Sequence, residues 1–284
     1  AITYGEALRN MDIGYAYRPR LMWNRFFENE QDDAQEFVSI FVSERLEGEP
    51  SERCSPRLHV LFVGRNSPNL ICPHEDCQRF TPAIGVERFA MLAVPIANES
   101  SLQSAVVSYL QEQETMESSF RFSCPHCNRS GTPKKQNKIT QFPQVMFIQL
   151  RRFYSHFDRE SGVPAETTYL QHHVACEETL NIQDVPYRLM AKVYHMGDSL
   201  EHGHYYTVCR HNHKDGTWWY YNNTIRRLLR EEDENRPDRA RVYLCLYERI
   251  EDPAQVHVVE DVDDDADGPA RGRIVEGGSS SSHL

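Results

Sequence analysis

Two close pairs of cysteines constrain the fold of this 284-residue chain more than any other feature of its sequence. Four residues separate Cys72 from Cys77, and two separate Cys124 from Cys127. A two-residue gap lets one tight turn direct both sulfurs at a single metal ion, and a four-residue gap is at the loose end of the usual range. Four thiolates suit a closed, tetrahedral structural zinc site, so the 46 intervening residues are expected to bring the two turns together.

Other interpretations of these cysteines stay open. The four thiols could be free, with at most an incidental disulfide, and His74 could replace one cysteine as a ligand. Cys124-Pro125-His126-Cys127 is also a redox dithiol sequence, which needs a long helix directly after the pair. Residues 128–133 (Asn-Arg-Ser-Gly-Thr-Pro) predict a turn instead. A zinc site therefore explains the pattern best.

The spacing of the cysteines indicates the cellular location of the protein, and its net charge limits the classes of partner that it can bind. Close pairing among the eight cysteines favours a metal over a disulfide framework, which predicts an intracellular location, in the cytoplasm or the nucleus. Residues 251–284 hold nine Asp or Glu and two Arg, a net of −7, so only −4 of the chain's −11 belongs to residues 1–250. That is the wrong sign for a nucleic-acid binder. No apolar run approaches the roughly 20 residues that span a bilayer, so a membrane protein is not expected.

Hydrophobic periodicity changes once along the chain. Residues 1–47 predict helices, with Ala34, Phe37 and Val38 at helical spacing, and Ser101–Glu114 predicts a later one. From about residue 58 short apolar runs between turn residues predict strands, and strands grouped after helices indicate the α+β class. The strand candidates are Leu58–Val63, Phe89–Ile96, Val145–Leu150, Tyr187–Tyr194, His204–Arg210, Thr217–Tyr221 and Arg241–Tyr247.

A histidine and an asparagine lie on either side of a predicted hairpin turn. Residues 204–210 alternate like a strand, residues 217–221 are strand-like, and the Asp-Gly between them is a strong hairpin signal. The turn places His204 near Asn222 across the ladder. A cysteine hydrolase requires this combination of an imidazole base and an amide that orients it, and Gly203 leaves room for a substrate backbone. The alternative is an ordinary hairpin with surface side chains, since the chain has 13 histidines.

Six segments, taken in order, resemble the ubiquitin-specific protease family of papain-like cysteine deubiquitinases. Each is weak alone, but their order over about residues 5–250 is specific to that family. They are Gln31–Phe37 (the family's Gln/Asp/Glu box), Leu61–Cys77 and Phe122–Cys127 (the halves of its zinc fingers), Pro143–Phe153 (the strand ending in Leu-Lys-Arg-Phe), Gly203–Tyr205 with Trp218–Asn223 (the histidine box), and Val242–Tyr247 (the closing strand).

The resemblance implies catalytic roles at matching positions. His204 would be the general base, and Asn222 would orient it, at a position that is usually Asp but can be Asn. An amide holds the ring but stabilises its cation less than a carboxylate does. Asn223 falls where the family often has a second Asp that polarises the scissile carbonyl. Gly203 and Tyr205 flank the base and would contact the substrate.

The resemblance also implies ubiquitin and ubiquitinated proteins as partners. Asp33, Gln35 and Glu36 would lie on a helix that lines the channel for ubiquitin's C-terminal tail. That tail bears arginines and ends in Gly-Gly. Carboxylates pair with arginines, and a narrow channel admits glycines while rejecting larger residues. Without the resemblance, a solvated helix face would be the simpler interpretation of this box.

The fold implied is the papain-like cysteine protease fold of the thumb–palm–fingers type, an α+β domain rich in antiparallel sheet. Residues 1–47 would be a remnant of the helical thumb, whose N-terminal part is absent, and residues 48–250 would form the palm and the zinc-bearing fingers. The activity implied is thiol-dependent hydrolysis of the isopeptide or peptide bond after ubiquitin's C-terminal glycine, with Zn²⁺ as a structural cofactor.

The family's nucleophilic cysteine has no counterpart here. In the family it precedes the Gln/Asp/Glu box, whereas residues 1–30 contain no cysteine. Cys54 lies beside acidic residues that disfavour a thiolate, and Cys176, Cys209 and Cys245 fall in or near predicted strands, so none is assigned as the nucleophile. We expect either an incomplete piece of an active enzyme, which the non-methionine start favours, or a ubiquitin-binding scaffold that does not cut.

Residues 251–284 are acidic and then rich in Gly and Ser, which predicts a disordered tail. Within the tail, residues 256–265 place acids after an apolar run, as in a SUMO-interacting motif that adds a strand to its partner's sheet. Such strings are common in acidic tails. A tail that only improves solubility is therefore the simpler interpretation, and a weak SUMO-type contact is the alternative.

Overall fold

The structure, a computed structural model, leaves several sequence-based predictions outside its described residues. Among these are most of the helical segment 1–47, Cys54, the hairpin turn at 211–215, and the tail 251–284 with its SUMO-type string. The described residues are 33–39, 61–83, 85–117, 119–157, 164–199, 202–210, 216–230, 233 and 240–250.

Two helices and nineteen strands are named among the described residues. In chain order the helices are α1 (Ala34–Val38) and α2 (Leu102–Gln111). The strands are β1 (Gly64–Asn66), β2 (Asn69–Ile71), β3 (Phe80–Pro82), β4 (Glu87–Phe89), β5 (Met91–Pro95), β6 (Gln113–Thr115), β7 (Phe122–Ser123), β8 (Ser130–Gly131), β9 (Lys134–Gln136), β10 (Ile139–Gln141), β11 (Val145–Arg151), β12 (Phe153–Phe157), β13 (Pro164–Tyr169), β14 (Thr179–Ile182), β15 (Val185–Met196), β16 (His204–Arg210), β17 (Trp218–Asn222), β18 (Ile225–Leu228) and β19 (Ala240–Arg249).

One eight-stranded sheet positions the candidate active site. Its order is β18-β17-β16-β15-β19-β11-β5, and β14 pairs with the first part of β15. Neighbours are antiparallel, except that β11 and β5 are parallel. Gln183 and Asp184 join β14 to β15 with φ of 47° and 67°, the left-handed backbone that tight hairpins use. The long strand β15 is therefore held on both edges.

Helix α2 covers one face of this sheet and completes the main core. Ser101 caps the helix, because its hydroxyl accepts a hydrogen bond from the Ser104 amide at 3.1 Å. The helix buries residues at the spacing of a single helical stripe. These are Leu102, Ala105, Val106 and Leu110, which pack with strand residues including Leu92, Val94, Met146, Ile148, Leu150, Leu180, Leu189 and Tyr247.

Smaller sheets form separately from the eight-stranded one, with no strand shared between them. Four strands pair in the order β3-β2-β9-β6, β7 and β8 form a hairpin, and β10-β1-β4 form a three-stranded sheet. The cysteine pairs lie next to these short strands: Cys72 directly follows β2, and Cys124 directly follows β7. Short strands bury little apolar surface, so a metal cross-link is physically suited to this region.

The sheet-rich α+β prediction is confirmed. The strand predicted at His204–Arg210 coincides with β16, and most other predicted strands differ only at their ends. The strand predicted at Leu58–Val63 is wrong in its described part, since Leu61 and Phe62 are helical. A short apolar run fits a buried helix as well as a strand, which explains the error. In the part of the chain that the structure describes, no helix has the length and apolar character needed to cross a bilayer.

Candidate active site

The β16–β17 hairpin brings His204 and Asn222 together. Thr207 pairs with Tyr221 in the antiparallel ladder, so His204 and Asn222 lie diagonally opposite on the same face of the sheet. The His204 Nε2 atom and the Asn222 Oδ1 atom are 2.6 Å apart. A carboxamide oxygen only accepts hydrogen bonds, so Nε2 carries the ring proton in this pairing and Nδ1 keeps its lone pair. The arrangement leaves Nδ1 as the basic atom.

Asn223 occupies the turn that follows β17. Asn222 pairs with Ile225, which leaves Asn223 and Thr224 as a two-residue turn. Asn223 has a φ of 51°, a left-handed conformation that asparagine tolerates better than most residues, and its side chain is exposed. This backbone requirement accounts for the residue type, and its role at the scissile carbonyl stays a prediction.

Asp33 joins helix α1 to the sheet. Its Oδ1 accepts a hydrogen bond from the Gln35 amide at 2.6 Å, which caps the helix. Its carboxylate also accepts from the hydroxyls of Tyr205, at 3.3 Å, and Tyr243, at 2.9 Å. Burial, and then the charge of Asp33, raise the pKa of both tyrosines, so both remain hydrogen-bond donors. The Asp33 carboxylate therefore accepts hydrogen bonds from within the protein, whereas the sequence predicted that it would contact an arginine of the substrate.

A bulge in β19 directs Tyr243 toward Asp33. Val193 pairs with Leu244 and Tyr194 pairs with Val242, so Tyr243 is the extra residue on β19. Strict alternation would place Tyr243 with Cys245 on the core face. The bulge instead turns it to the face of Gln149, whose amide donates to its hydroxyl at 3.0 Å.

A cleft of about 390 Å³ lies between α1 and this face of the sheet. Its lining includes the predicted tail-binding residues Asp33, Gln35 and Glu36, and Glu36 is exposed. Arg151 also lines it, so the cleft carries charge of both signs. His204 lies outside this lining. Its neighbour Tyr205 bonds to Asp33 in the cleft wall, which connects the two parts of the site.

Gly203 makes room for a histidine ring. A Cβ atom at this position would lie 2.1 Å from Nε2 of His195. His195 is 1% exposed, contacts the rings of Phe153, Tyr205 and Tyr243, and has a buried Nδ1 with no hydrogen-bond partner among the described residues. Burial lowers its pKa and so favours the neutral ring. The sequence predicted open space for substrate beside Gly203, and the structure fills that space with His195.

The Gly203→Ala substitution is expected to lower the free energy of unfolding by about 2 kcal/mol, because a methyl group forces the His195 ring out of its aromatic contacts. Urea denaturation measures the effect. In a His195→Ala background the same substitution should cost much less, because the colliding ring is gone. Equal costs in the two backgrounds would contradict this explanation.

The four paired cysteines form one cluster. Their sulfurs all lie within 4.8 Å of one another. The Cys72 and Cys127 sulfurs are 3.7 Å apart, and those of Cys77 and Cys124 are 3.8 Å apart. Four sulfurs bound at about 2.3 Å to a tetrahedral Zn²⁺ would be about 3.8 Å apart. The donor set and its spacing therefore fit zinc, and each of the four cysteines is free in this structure.

The two cysteine turns share one backbone pattern despite their unequal spacing. The amide of each first cysteine donates to the carbonyl two residues beyond the second: Cys72 to Arg79 at 3.1 Å and Cys124 to Arg129 at 3.0 Å. Gln78 and Asn128, directly after each second cysteine, have φ of 44° and 56°. A tight turn at the His74 carbonyl accommodates the two extra residues of the first pair.

Other contacts of the cluster support metal binding over a redox role. A hydrogen bond from the backbone amide of Arg129 is the main cause that lowers the pKa of Cys127 to about 6, which favours its thiolate. Burial raises the pKa of the Cys72 thiol to about 12 when no metal is bound. A β-strand, Ser130–Gly131, follows Cys127 where a redox dithiol would need a helix. Of the described residues, the four cysteines make up the whole group of close metal-ligating atoms, so His74 is not among them.

The other described cysteines are placed away from His204. Cys209 lies five residues further along β16, about 17 Å away, and its side chain points to the opposite face. Cys176 and Cys245 contact each other, with their sulfurs 3.6 Å apart. The prediction that none of them is the nucleophile is consistent with these positions.

Sequence reasoning missed several residues that build the site. Tyr243 lies in a predicted strand, and the apolar–polar alternation of that strand gave no sign of the bulge in β19. His195 is also next to a predicted strand, and nothing in the sequence indicated that Gly203 accommodates its ring. Tyr220 lies two residues before Asn222, so a same-face contact could have been read from the strand period. Arg152 belongs to the segment Pro143–Phe153, which resembles a strand motif of the family, but nothing in the sequence distinguished it from Arg151.

Known proteins resemble this chain over most of its length. Residues 19–247 match the family described as "Ubiquitin carboxyl-terminal hydrolase". The chain is 29% identical over 196 residues to ubiquitin carboxyl-terminal hydrolase 48 of Danio rerio, covering 65% of this chain and 18% of that protein. It is 23% identical over 231 residues to ubiquitin carboxyl-terminal hydrolase 8 of Saccharomyces cerevisiae, covering 71% and 47%. The chain thus spans less than half the length of either relative.

Solved structures share the fold. The SAGA Ubp8/Sgf11/Sus1/Sgf73 DUB module bound to ubiquitin aldehyde matches with a TM-score of 0.63 at 22% identity, covering 78% of this chain and 50% of the matched one. The same module bound to monoubiquitin matches with a TM-score of 0.62 at 23% identity, covering 78% and 49%. The predicted papain-like fold of the thumb–palm–fingers type is thereby confirmed. With 229 of its 284 residues inside the family match, the chain belongs to the ubiquitin carboxyl-terminal hydrolase family.

Proposed function

We propose that this chain carries the base, the orienting amide and the tail-binding cleft of a deubiquitinase. The bond cleaved is the isopeptide or peptide bond after the C-terminal glycine of ubiquitin. The observation that carries the proposal is the 2.6 Å contact between His204 and Asn222 in a chain of this family. An imidazole held by a carboxamide is the general base of a thiol hydrolase.

The proposed reaction follows from which ring nitrogen is protonated. His204 Nε2–H donates to Asn222, so Nδ1 takes the proton from a cysteine thiol, which this sequence does not identify. The thiolate attacks the carbonyl of ubiquitin's last glycine, and the same proton passes to the departing amine. Water then attacks the thioester with His204 as base, which releases ubiquitin and restores the thiol. Asn223 would assist at the scissile carbonyl.

Glu36 is the carboxylate that we assign to ubiquitin's arginine-bearing tail. It is exposed on α1 and lines the cleft, while Asp33 is held by two tyrosines and a backbone amide. Gln35 lies between them and donates to Ser39 at 2.7 Å. In this proposal Asp33 and Tyr205 shape the cleft wall, Gly203 admits the His195 ring, and Glu36 meets the arginine.

The partners and cofactor follow from the same assignment. Ubiquitin and ubiquitinated proteins are the proposed partners, held by a palm and fingers within residues 48–250 and by a helical segment within residues 1–47. Residues 251–284 would be a separate acidic tail, with SUMO-type contact through residues 256–265 as its alternative use.

Zn²⁺ held by the four clustered cysteines would stabilise the fingers without taking part in the reaction. An intracellular setting keeps such thiols reduced, and none of the seven described cysteines forms a disulfide.

A ubiquitin-binding scaffold without hydrolase activity is the second candidate. The observation that favours it is the placement of the described cysteines, which lie in the cluster, in a mutual contact or on the face opposite His204. The enzyme and the scaffold would bind ubiquitin in the same cleft, and they would differ only in whether the protein has a nucleophilic cysteine thiol. A ubiquitin derivative with a thiol-reactive C-terminus should label the protein purified from its native source if it is an enzyme, and should leave a scaffold unlabelled.

Ubiquitin binding tests the part that both candidates share. Calorimetric titration of the chain with ubiquitin should show binding that weakens about tenfold when the tail arginines are replaced, because the cleft loses its charged partner. The Glu36→Gln substitution should weaken binding of intact ubiquitin by about three- to tenfold and have little effect on the arginine-free form.

The matched control is Glu112→Gln, which removes an exposed carboxylate at the end of helix α2 and should leave affinity unchanged. Equal effects of the two glutamate substitutions would remove Glu36 from the tail site. An absence of any binding by the folded chain would overturn the ubiquitin assignment itself.

A further inference from the structure

Asn222 is held at both ends of its side chain. Its Oδ1 lies 2.6 Å from His204 Nε2, and its Nδ2 donates to the Tyr220 hydroxyl at 2.8 Å. Tyr220 and Asn222 are two residues apart on β17, so both side chains project from the same face of the sheet. The hydroxyl therefore occupies the position that receives the amide's hydrogens.

A carboxamide needs such a partner because its two ends differ. With Oδ1 toward the ring, His204 Nε2 is protonated and Nδ1 is basic. With the amide reversed, an N–H would face Nε2, the ring proton would move to Nδ1, and the base would be lost. A carboxylate at the same position has two equivalent oxygens and needs no such selection. The group behind Asn222 selects this orientation when it accepts rather than donates, and the Tyr220 hydroxyl accepts from Nδ2 at 2.8 Å.

Tyr220 is itself fixed by a charged pair. It is 2% exposed, packs against the Tyr206 ring at 5.3 Å between centroids, and lies under the Arg227 guanidinium, 4.4 Å from its ring centre. Asp233, 4% exposed, accepts two hydrogen bonds from Arg227 at 2.5 and 2.7 Å and one from the Arg230 amide at 3.0 Å. A bidentate pair of this kind holds the guanidinium in one orientation. The contacts run without a gap from Asp233 to His204.

We propose that Tyr220 is a positioning residue that selects which end of the Asn222 amide faces His204, and that Arg227 with Asp233 holds Tyr220 in place. The proposal rests on the proposed function, since it assigns the atom of His204 that acts as base. Tyr220 would not touch substrate. It would act through Asn222 on the protonation of the ring.

Nitrogen-15 NMR of the full chain with labelled histidine tests this directly. The His204 signals are identified by their loss in a His204→Gln variant, and spectra are taken about two pH units above the ordinary histidine pKa so that the ring is neutral. The shifts of the two ring nitrogens report which one carries the proton. The variants compared are Tyr220→Phe, Asn222→Asp and the double variant.

The wild-type ring is expected to be protonated mainly on Nε2. Tyr220→Phe should lower the ratio of the Nε2–H to the Nδ1–H form about fivefold, which corresponds to the loss of one net hydrogen bond. In the Asn222→Asp background the same substitution should change that ratio less than twofold, because the carboxylate oxygens are equivalent. Tyr187→Phe removes another buried hydroxyl of the same sheet, bonded to the Pro143 carbonyl, and should leave the ratio unchanged.

Two results would overturn the proposal: an unchanged ratio in Tyr220→Phe, or the same change in both backgrounds, which would indicate a purely structural role. If Tyr220→Phe reduces folding, Arg227→Lys breaks the bidentate pair while keeping the charge, and it should lower the ratio in the same direction. An unchanged ratio in that folded variant would count against the proposal. Because ubiquitin takes no part in the measurement, failure here is distinct from failure of the ubiquitin assignment.

Discussion

Replacing Arg152 with methionine is expected to lower the free energy of unfolding by about 4 kcal/mol. Arg152 is 1% exposed. Its Nε donates to the Val242 carbonyl at 2.6 Å, and its Nη1 donates to the carbonyls of Leu170, at 2.8 Å, and His172, at 3.0 Å. Methionine fills much of the space but removes the guanidinium donor from three carbonyls, one in a buried and two in partly buried contacts, and a buried acceptor left unsatisfied costs about 1–3 kcal/mol. A loss of this size is a large fraction of the stability of an ordinary domain.

The adjacent arginine provides the control. Arg151 is exposed and lies over the Tyr154 ring, 5.6 Å from its centre, so Arg151→Met should change stability by about 0.5 kcal/mol or less. Urea denaturation followed by circular dichroism compares the two variants. Similar losses at the two positions would show that the buried hydrogen bonds of Arg152 are not what stabilises this part of the sheet.

Removing the metal should unfold the fingers and leave the main sheet folded. The purified chain is expected to contain one zinc ion, since the four sulfurs already have the spacing of a tetrahedral site. Structural zinc contributes an apparent binding free energy of about 10–16 kcal/mol in small domains, far more than short strands supply by burial. Chelation should therefore abolish amide-exchange protection in β2, β3 and β9, while β11, β15 and β19 stay protected within the large core.

Single substitutions separate this expectation from its alternatives. Cys124→Ser should reduce the zinc content to near zero, whereas Cys209→Ser, outside the cluster, should retain one ion per chain. His74→Ala should also retain it if the four sulfurs are the ligands. A folded, zinc-free chain with a disulfide between Cys124 and Cys127 would instead support the redox interpretation and contradict the metal site.

Features that depend on residues close in sequence were predictable. Two strand-like segments close together in the sequence predicted that His204 meets Asn222, and the β16–β17 ladder has a register that brings them together. Each cysteine pair likewise lies within a single turn, so the spacing alone described its local shape. The α+β class followed from the change in hydrophobic period, which reflects how each element buries one face.

Features that depend on distant residues were decided by the tertiary structure. Asp33 meets Tyr205 and Tyr243, which follow it by 172 and 210 residues, and the second contact exists only because a bulge in β19 turns a side chain to the other face. The distinction between Arg151 and Arg152 likewise depends on which one reaches three carbonyls from other segments. A hydrophobic pattern specifies that a residue is buried but not which partners surround it. The sequence by itself thus determined the hairpin, the cysteine turns and the class of fold, and only the packed sheet decided the partners of Asp33, Gly203 and Arg152.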